Sequence, residues 1–165
     1  MVFTPFFIED MAMIHTIYIA EHNLGKQLKV DKVDLIMGKG IVGDRNFDRA
    51  QWPGQNITFI EMEEIEAFNN NYQQRIQLAD TRRNVITQGI RLNDLVGKEF
   101  LIGGVRFKGI ELCEPCATLG KLLSNDTIAK KDVVKAFVHK SGLRADVLSD
   151  GEIHAGMTFE VIETV

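Results

Sequence analysis

The chain has 165 residues, a formal net charge of −4 and 45% hydrophobic residues. Its length suits one domain, and its composition excludes disordered and collagen-like classes. The slightly negative charge argues against a nucleic-acid partner, because phosphate backbones are bound through broad basic faces. An anion site would instead be a local cluster of arginine or lysine side chains.

Targeting and membrane signals are weak. The apolar run at residues 2–8 has no basic residue before it and meets Glu9 and Asp10 directly, unlike a secretory signal peptide. No stretch approaches the roughly 20 apolar residues that a membrane helix needs. Two cysteines are too few for a disulfide scaffold. We therefore expect a cytoplasmic protein with no membrane partner.

The first half of the chain predicts three strands and one helix. β-Branched and aromatic residues dominate the first segment, in which Met13, Ile17 and Ile19 share one face. Apolar residues then recur at helical spacing from Met62 to Phe68, behind an acidic start. The predicted elements are strands at 13–19, 33–37 and 56–60, and a helix from residue 61 that ends in the asparagine run at 69–71.

The second half predicts more strands, separated by glycines. The Gly103-Gly104 pair is typical of a two-residue hairpin, and Asp150-Gly151 of a turn. The predicted elements are strands at 83–87, 99–102, 105–112, 143–148 and 157–162, and helices at 117–123 and 127–137. Since short strands do not alternate regularly with helices, the fold class is mainly β (α+β), a mostly antiparallel barrel or sandwich with helical insertions. No linker is visible, so we expect a single domain over residues 1–165.

Residues 38–43, GKGIVG, match the glycine fingerprint of dinucleotide-binding proteins. That fingerprint requires a helix that begins at the glycines, but the residues that follow are polar and Pro53-Gly54 interrupts them. We interpret the segment as a glycine-hinged loop. The alternative is a loop whose backbone approaches a ligand while Lys39 or Arg45 contacts an anionic group.

The tetrapeptide Cys113-Glu114-Pro115-Cys116 follows a predicted strand and precedes a predicted helix. A thiol near a helix N-terminus has a lowered pKa, which makes Cys116 a candidate for thiolate chemistry. Three alternatives remain open. A structural zinc site would need four ligands, and His139 and His154 show no paired spacing. The cysteines could instead exchange disulfides, as CxxC pairs do in βαβ surroundings, or pack as small apolar residues.

Arginines supply the candidate anion-binding groups. Arg82, Arg83 and Asn84 begin a predicted strand, and planar guanidinium groups suit phosphate or carboxylate. Adjacent strand residues point to opposite faces, so we expect one arginine to face a pocket while the other is solvated. An ion pair with a carboxylate such as Asp80 is the alternative for either arginine, and Arg144 poses the same choice.

The order of these segments resembles the MOSC domain, which is named for the C-terminal part of molybdenum cofactor sulfurase. The likeness covers nearly the whole chain. The matching positions are 40–44, 82–90, Leu95, 97–100, 102–103, Gly109, 113–116, 142–148 and 150–153.

This resemblance implies a β-barrel-like fold and a functional cysteine, best matched by Cys116. In the family that cysteine carries sulfur as a persulfide or ligates molybdenum of a pterin-bound cofactor, and soft thiolates suit both tasks. Cys113 would then be a resolving thiol. The basic and polar residues nominated for the cofactor and its phosphate are Arg83 first, then Arg82, Asn84, Asp44, Arg45 and Arg144.

Two positions depart from the family pattern. Asn46 stands where many relatives have histidine, and asparagine cannot shuttle protons at neutral pH. Met157 replaces a frequent acidic residue.

The implied function is that of a molybdenum cofactor-associated protein with Cys116 as sulfur carrier or molybdenum ligand. An enzyme of this kind would reduce N-hydroxylated substrates with electrons from a partner protein, whereas a carrier would hand sulfur to cofactor-maturation proteins. Pyridoxal phosphate is not expected, because the larger sulfurases bind it on a separate domain. The alternatives are a thiol-disulfide exchange protein and a non-catalytic binding module.

Overall fold

The computed structural model describes residues 11–162, so the apolar run at 2–8 lies outside the described residues. Eleven strands and three α-helices make up this part of the chain. The strands are Met13–Ile19 (β1), Leu28–Val30 (β2), Lys32–Ile36 (β3), Gly40–Ile41 (β4), Ile57–Glu61 (β5), Val85–Gln88 (β6), Glu99–Ile102 (β7), Val105–Leu112 (β8), Leu143–Val147 (β9), Gly151–His154 (β10) and Phe159–Ile162 (β11). The helices are Met62–Tyr72 (α1), Ala117–Leu123 (α2) and Lys130–Phe137 (α3). None of these helices is both long and apolar enough to span a membrane.

Eight strands form one sheet in the order β11-β7-β8-β9-β5-β6-β1-β2. Its pairs are antiparallel except for β5 with β6. The sheet curls into a half-barrel, because the start of β1 also meets the chain before β11. There Met13 bridges Thr158, and the Ile14 N–H donates to the Met157 carbonyl at 2.9 Å. The predicted mainly β, mostly antiparallel fold class is therefore confirmed.

A second sheet, in the order β10-β3-β4, covers one end of the core. The buried side chain of Asn56 joins the two sheets. Its Nδ2 donates to the Gly38 carbonyl at 3.1 Å, and its Oδ1 accepts from the Val147 N–H at 3.0 Å. Both ends of the amide are thus satisfied inside the protein, as a buried polar group requires.

The central strand β5 is buried on both faces. Phe59 points into the half-barrel and meets three aromatic rings edge-on, at centroid distances of 5.8 Å to Phe100, 5.9 Å to Phe107 and 6.1 Å to Phe159. Ile60 points the other way, into an apolar cluster made with the three helices. Helix α2 is anchored in that second cluster, and this fixes the residues at its N-terminus.

Several predicted elements have the observed bounds, namely the strands at 99–102 and 105–112, their two-residue hairpin and the helix at 117–123. Other predicted bounds were wrong. The first helix continues through the asparagine run to Tyr72, and the strands predicted at 33–37, 56–60, 83–87 and 143–148 are Lys32–Ile36, Ile57–Glu61, Val85–Gln88 and Leu143–Val147. The helix predicted at 127–137 begins at Lys130, because Asn125 pairs with Ile128 and its side chain accepts from the Thr127 N–H. Gly151 does not form the predicted turn with Asp150 but begins strand β10, and β11 begins only at Phe159.

The alternation predicted for β1 holds for Ile17 and Ile19, which both pack in the half-barrel core, but it was wrong for Met13. A register shift between Ile14 and Thr16 places a bulge in the strand, so Ile14 and Ile17 both enter the core. Bulges disrupt the period of two, which is why Met13 does not share their buried face.

The glycine segment at residues 38–43 does not have the conformation that a dinucleotide fingerprint requires. Gly40 and Ile41 form strand β4, and turns rather than a helix follow them. The interpretation as a glycine-hinged loop agrees with the positive φ angles of Gly38, Gly40 and Gly43, which are 73°, 103° and 88°.

Phe59→Ala should lower the free energy of unfolding by about 3–5 kcal/mol, because it opens a cavity where three rings converge. Urea denaturation measures the change. Trp52→Ala is the control, since the Trp52 side chain is 62% exposed and leaves no buried cavity. A loss below about 1 kcal/mol for Phe59→Ala would contradict this account of the core.

Candidate functional site

The loop at residues 113–116, here called the cysteine loop, begins where strand β8 ends. Leu112, the last residue of β8, pairs with Leu143 on β9, and the Cys113 N–H donates to the Gly142 carbonyl at 2.7 Å. This places the Cys113 side chain inside the protein, at 1% exposure. Three residues later Cys116 is exposed and is the N-cap residue of α2.

The surroundings of Cys116 lower the pKa of its thiol. The largest cause is the backbone N–H of Leu119, and the N–H and hydroxyl of Thr118 act in the same direction. Partial burial opposes them, while the positive charge of Arg83 adds to them. Each of these donors favours the charged form, so Cys116 holds more thiolate at neutral pH than an ordinary cysteine.

Arg83 is held beside the cysteine loop by backbone carbonyls. Its Nε donates to the Ser141 carbonyl at 3.0 Å, and its Nη1 donates to the Thr81 carbonyl at 3.4 Å. The Ser141 hydroxyl in turn donates to the carbonyl of Cys113. The structure thus places the positive charge of Arg83 near Cys116, and both residues are among those that the sequence analysis nominated.

Arg82 is directed elsewhere. It adopts a left-handed φ of 60° after a short 3-10 helix at Leu78–Thr81, and its Nη1 donates to the Gly25 carbonyl at 2.8 Å. The two arginines do take different directions, but the predicted cause was wrong, because β6 begins only at Val85 and Arg82 is not in a strand.

Arg82 lines a cavity of about 360 Å³. The lining residues are Lys26, Gln27, Gln77, Ala79, Asp80, Arg82 and Leu122. Two buried donor atoms here, Arg82 Nη2 and Gln27 Nε2, have no hydrogen-bond partner within residues 11–162. Such atoms are costly unless an acceptor reaches them. We call this space the Arg82 cavity.

Asp44 caps backbone N–H groups. Its carboxylate accepts from the Ala20 N–H at 3.1 Å and from the Asn46 N–H at 3.3 Å, and it lies 3.5 Å from Arg45 Nη1. It is buried, with both oxygens directed at the protein. This geometry ties the glycine loop to the end of β1.

Arg45 lies between Asp44 and the Arg82 cavity. Its Nη1 donates to Gln27 Oε1 at 3.3 Å and its Nη2 to the Arg82 carbonyl at 3.2 Å. Burial lowers the pKa of Arg45, Asp44 raises it, and Arg82 lowers it again. Arg45 therefore orients Gln27 while adding positive charge next to Arg82.

Asn84 and Arg144 line a smaller, separate cavity of about 120 Å³. Asn84 Oδ1 accepts from the Thr58 N–H and hydroxyl at 3.1 and 3.2 Å, and its Nδ2 donates to the Tyr18 carbonyl at 3.3 Å. Asn84 thus connects β1 and β5 at the start of β6. Arg144 Nε lies 3.8 Å from a Glu111 oxygen, an exposed pair of small energetic weight.

The same cavity contains residues that the sequence analysis missed. They are Arg49, Gln55, Ile57 and Thr58, and the cavity also contains Asn46, which the sequence analysis named only as a departure from the family pattern. Thr58 had a usable signal, because it lies between two buried residues of β5 and must point to the opposite face. Arg49 had none, since it lies in an irregular loop.

A multidentate protein metal site is not present in the described part of the chain. Among residues 11–162, no three His, Cys, Asp or Glu side chains are grouped to hold an ion. Cys116 is instead a single soft donor in a cationic setting, a geometry suited to a metal that brings its other ligands with it.

In the purified protein, Cys116 should react with iodoacetamide before Cys113, at a pH midpoint below that of free cysteine. Arg83→Met should raise that midpoint, because it removes a positive charge that favours the thiolate. Arg82→Met is the matched control, since Arg82 lines the Arg82 cavity and is not among the groups that lower the pKa of Cys116. Equal shifts in both variants, or prior labelling of Cys113 in the folded protein, would contradict the assigned geometry.

One family model and several solved structures are similar to this chain. The model of the MOSC domain matches residues 46–160 of this chain. Curated proteins give no match. The fold of the YuaD protein from Bacillus subtilis is similar, with a TM-score of 0.77 and 20% identity over 92% of this chain and 96% of that one.

Two YiiM proteins share the fold as well. YiiM from Geobacillus stearothermophilus has a TM-score of 0.71 and 16% identity, covering 92% of this chain and 75% of that one. YiiM from Escherichia coli has a TM-score of 0.66 and 15% identity, covering 93% and 71%. Since the family model spans most of the chain and the fold agrees, the chain belongs to the MOSC domain family, which is associated with the molybdenum cofactor.

Proposed function

We propose that this protein binds molybdenum cofactor, with the Cys116 thiolate as its soft ligand. The observation that carries the proposal is the exposed, low-pKa thiol of Cys116, which lies at a helix N-terminus and beside Arg83. Thiolate is the form that binds soft metals and sulfur. A buried or ordinary cysteine would support neither task.

The residues present fit a cofactor of this kind. A pterin-bound metal needs few protein donors, and a single thiolate supplies one. Its phosphate needs hydrogen-bond donors and positive charge, which Arg82, Gln27 and Lys26 offer among the residues that line the Arg82 cavity. We therefore assign the phosphate to the Arg82 cavity, with Arg45 orienting Gln27.

The neighbouring arginine has a different task in this proposal. Arg83 already donates to two backbone carbonyls, and its charge acts on the Cys116 thiol. It therefore stabilises the thiolate rather than the phosphate. Asp44 supports the loop by capping it, and Asn84 and Arg144 border the smaller cavity, which is open to a small polar substrate.

When bound, the cofactor would supply a redox-active metal centre, and electrons for a reductase reaction would come from a partner protein. The chain's own residues hold the thiolate charged and orient it. Asn46 lines the smaller cavity, so a proton needed there would have to come from water or substrate.

A second candidate function is sulfur transfer, favoured by the exposure of Cys116. The Cys116 thiolate would attack the outer sulfur of a donor persulfide. The donor's sulfur–sulfur bond breaks, Cys116 becomes the persulfide, and the donor leaves as a thiolate. Disulfide exchange with Cys113 is less favoured, because the Cys113 side chain is buried and would have to move outward.

Protein purified from cells supplied with molybdate should contain molybdenum and pterin in stoichiometric amounts. Cys116→Ser should lose the molybdenum, whereas Cys113→Ala should keep it. Elemental analysis and pterin fluorescence measure both. Absence of molybdenum and pterin from the wild type would refute cofactor binding, and cyanide-releasable sulfur on Cys116 would then favour the carrier.

Arg82→Met should lower the pterin content several-fold, because it removes a donor for the phosphate. It should leave the pH midpoint of Cys116 alkylation unchanged, because the phosphate and the thiolate are bound by different residues. Arg75→Met is the matched control, because Arg75 is an exposed arginine outside both cavities. Thermal denaturation checks that each variant folds. If a folded Arg82→Met protein retains the full pterin content, the assignment of the phosphate to the Arg82 cavity is wrong.

A further inference from the structure

The smaller cavity, of about 120 Å³, is lined by two arginines from different parts of the chain. Arg144 is in strand β9, and Arg49 is in the loop between β4 and β5. Of the described residues 11–162, no aspartate or glutamate lines this cavity. Two guanidinium groups without a lining carboxylate make the cavity a local centre of positive charge in a chain whose net charge is −4.

Close packing of the loop against strands β8 and β9 brings the two arginines to one cavity. Gly54 in this loop has a φ of 91°, and an added Cβ there would lie 3.3 Å from the Ile110 side chain and 3.4 Å from Arg144 Cβ. The Gly54 N–H also donates to Asp146 Oδ1 at 2.7 Å. The loop is therefore held against the strand that carries Arg144.

Two amide side chains that line the cavity have occupied acceptor oxygens. Gln55 Oε1 accepts from the N–H groups of Gln51 and Trp52 at 2.7 and 3.4 Å. Asn84 Oδ1 accepts from the N–H and the hydroxyl of Thr58. Because both lone pairs of each oxygen are used, each amide can offer a ligand only its NH₂ donors. The cavity thus suits a ligand that accepts hydrogen bonds and carries negative charge.

The positive charges of this cavity are weakly engaged within the described residues. Glu111 and Arg144 are cross-strand neighbours, and their side chains form an exposed ion pair with an Nε–Oε1 distance of 3.8 Å. Exposed pairs of this kind contribute little free energy, so a ligand can replace Glu111. Arg49 makes no ion pair within residues 11–162.

We infer that the smaller cavity is an oxoanion site, which binds a phosphate or carboxylate group through Arg49, Arg144 and the NH₂ groups of Gln55 and Asn84. Guanidinium groups bind such groups through paired hydrogen bonds. The cavity has a third of the volume of the Arg82 cavity, about 120 against 360 Å³, which favours a small anionic group over a fused ring system. That this group belongs to a substrate rests on the proposed function, whereas the binding itself requires no cofactor.

Isothermal titration calorimetry of the purified chain with inorganic phosphate tests the inference. Chloride at equal ionic strength is the reference, because it gives the same screening. All proteins carry Arg82→Met, since the Arg82 cavity is itself proposed to bind phosphate. In this background, Arg49→Met and Arg144→Met should each weaken phosphate binding about tenfold or more, because each removes a charged hydrogen-bond donor.

Arg75→Met is the matched control, because it removes an exposed arginine outside both cavities and should leave the affinity unchanged. Glu111→Gln should strengthen binding about two- to threefold, because it removes the carboxylate that competes for Arg144. Thermal denaturation checks that each variant folds. If Arg144→Met fails to fold, Arg49→Met still decides the question, because Arg49 is exposed.

Methyl phosphate and acetate distinguish two sources of the anionic group. If either binds as tightly as inorganic phosphate, the site accepts the group as part of an organic molecule, as a substrate subsite requires. If inorganic phosphate alone binds, the oxoanion site stands as a site for the free ion, and its assignment to a substrate is wrong.

The oxoanion site is refuted if phosphate gives no more heat than chloride, or if the folded Arg49→Met protein binds phosphate as tightly as the Arg82→Met background. A wild-type protein that contains molybdenum and pterin would keep the proposed function despite that result. Conversely, phosphate binding that depends on Arg49, in a protein that acquires no molybdenum, would keep the oxoanion site and refute the proposed function.

Discussion

The close approach of Gly142 to the Phe59 backbone is the contact on which the site depends. The Phe59 ring is the centre of the aromatic core, and the Phe59 backbone pairs with Leu143 where β5 and β9 are hydrogen-bonded. Because position 142 has no Cβ, β9 can begin directly against β5 and turn its carbonyl toward Cys113. The same packing that stabilises the fold therefore determines where the cysteine loop leaves the sheet. A larger residue at 142 would displace both.

The three consecutive residues that follow the 3-10 helix at Leu78–Thr81 have side chains in three different parts of the molecule. Arg82 faces its own cavity, Arg83 lies beside the cysteine loop, and Asn84 binds β1 and β5 next to the smaller cavity. The left-handed conformation of Arg82 makes this divergence possible, because it turns the chain just before β6 begins. Arg82 and Arg83 therefore do not share a pocket, whereas Arg49 and Arg144 both line the smaller cavity. In a chain with net charge −4, a local excess of positive charge can arise only from placement of this kind.

Local signals in the sequence were sufficient for much of the fold and for the central residue of the candidate site. The hairpin at Gly103-Gly104 and the helix after Cys116 depend on neighbouring residues, so their bounds were predicted correctly. Strand β10 was missed because it has one buried residue, Ile153, and its partner β3 lies more than a hundred residues away in the chain. The bulge in β1, the left-handed Arg82 and the lining residue Arg49 likewise depend on tertiary packing. Sequence spacing carries no record of such long-range constraints.

The two cysteines show how one motif produces opposite environments. Cys113 still follows the β8–β9 ladder, so its side chain takes the inward place that the sheet dictates. Cys116 lies past Pro115, where the chain has left the ladder and the first N–H groups of α2 have no carbonyl partner within the helix. A thiolate can satisfy those donors, whereas a buried neutral thiol cannot compensate them. The spacing of three residues thus separates a packing cysteine from an exposed one, whose soft donor atom lies at the surface near the positive charge of Arg83 and two residues after the exposed Glu114.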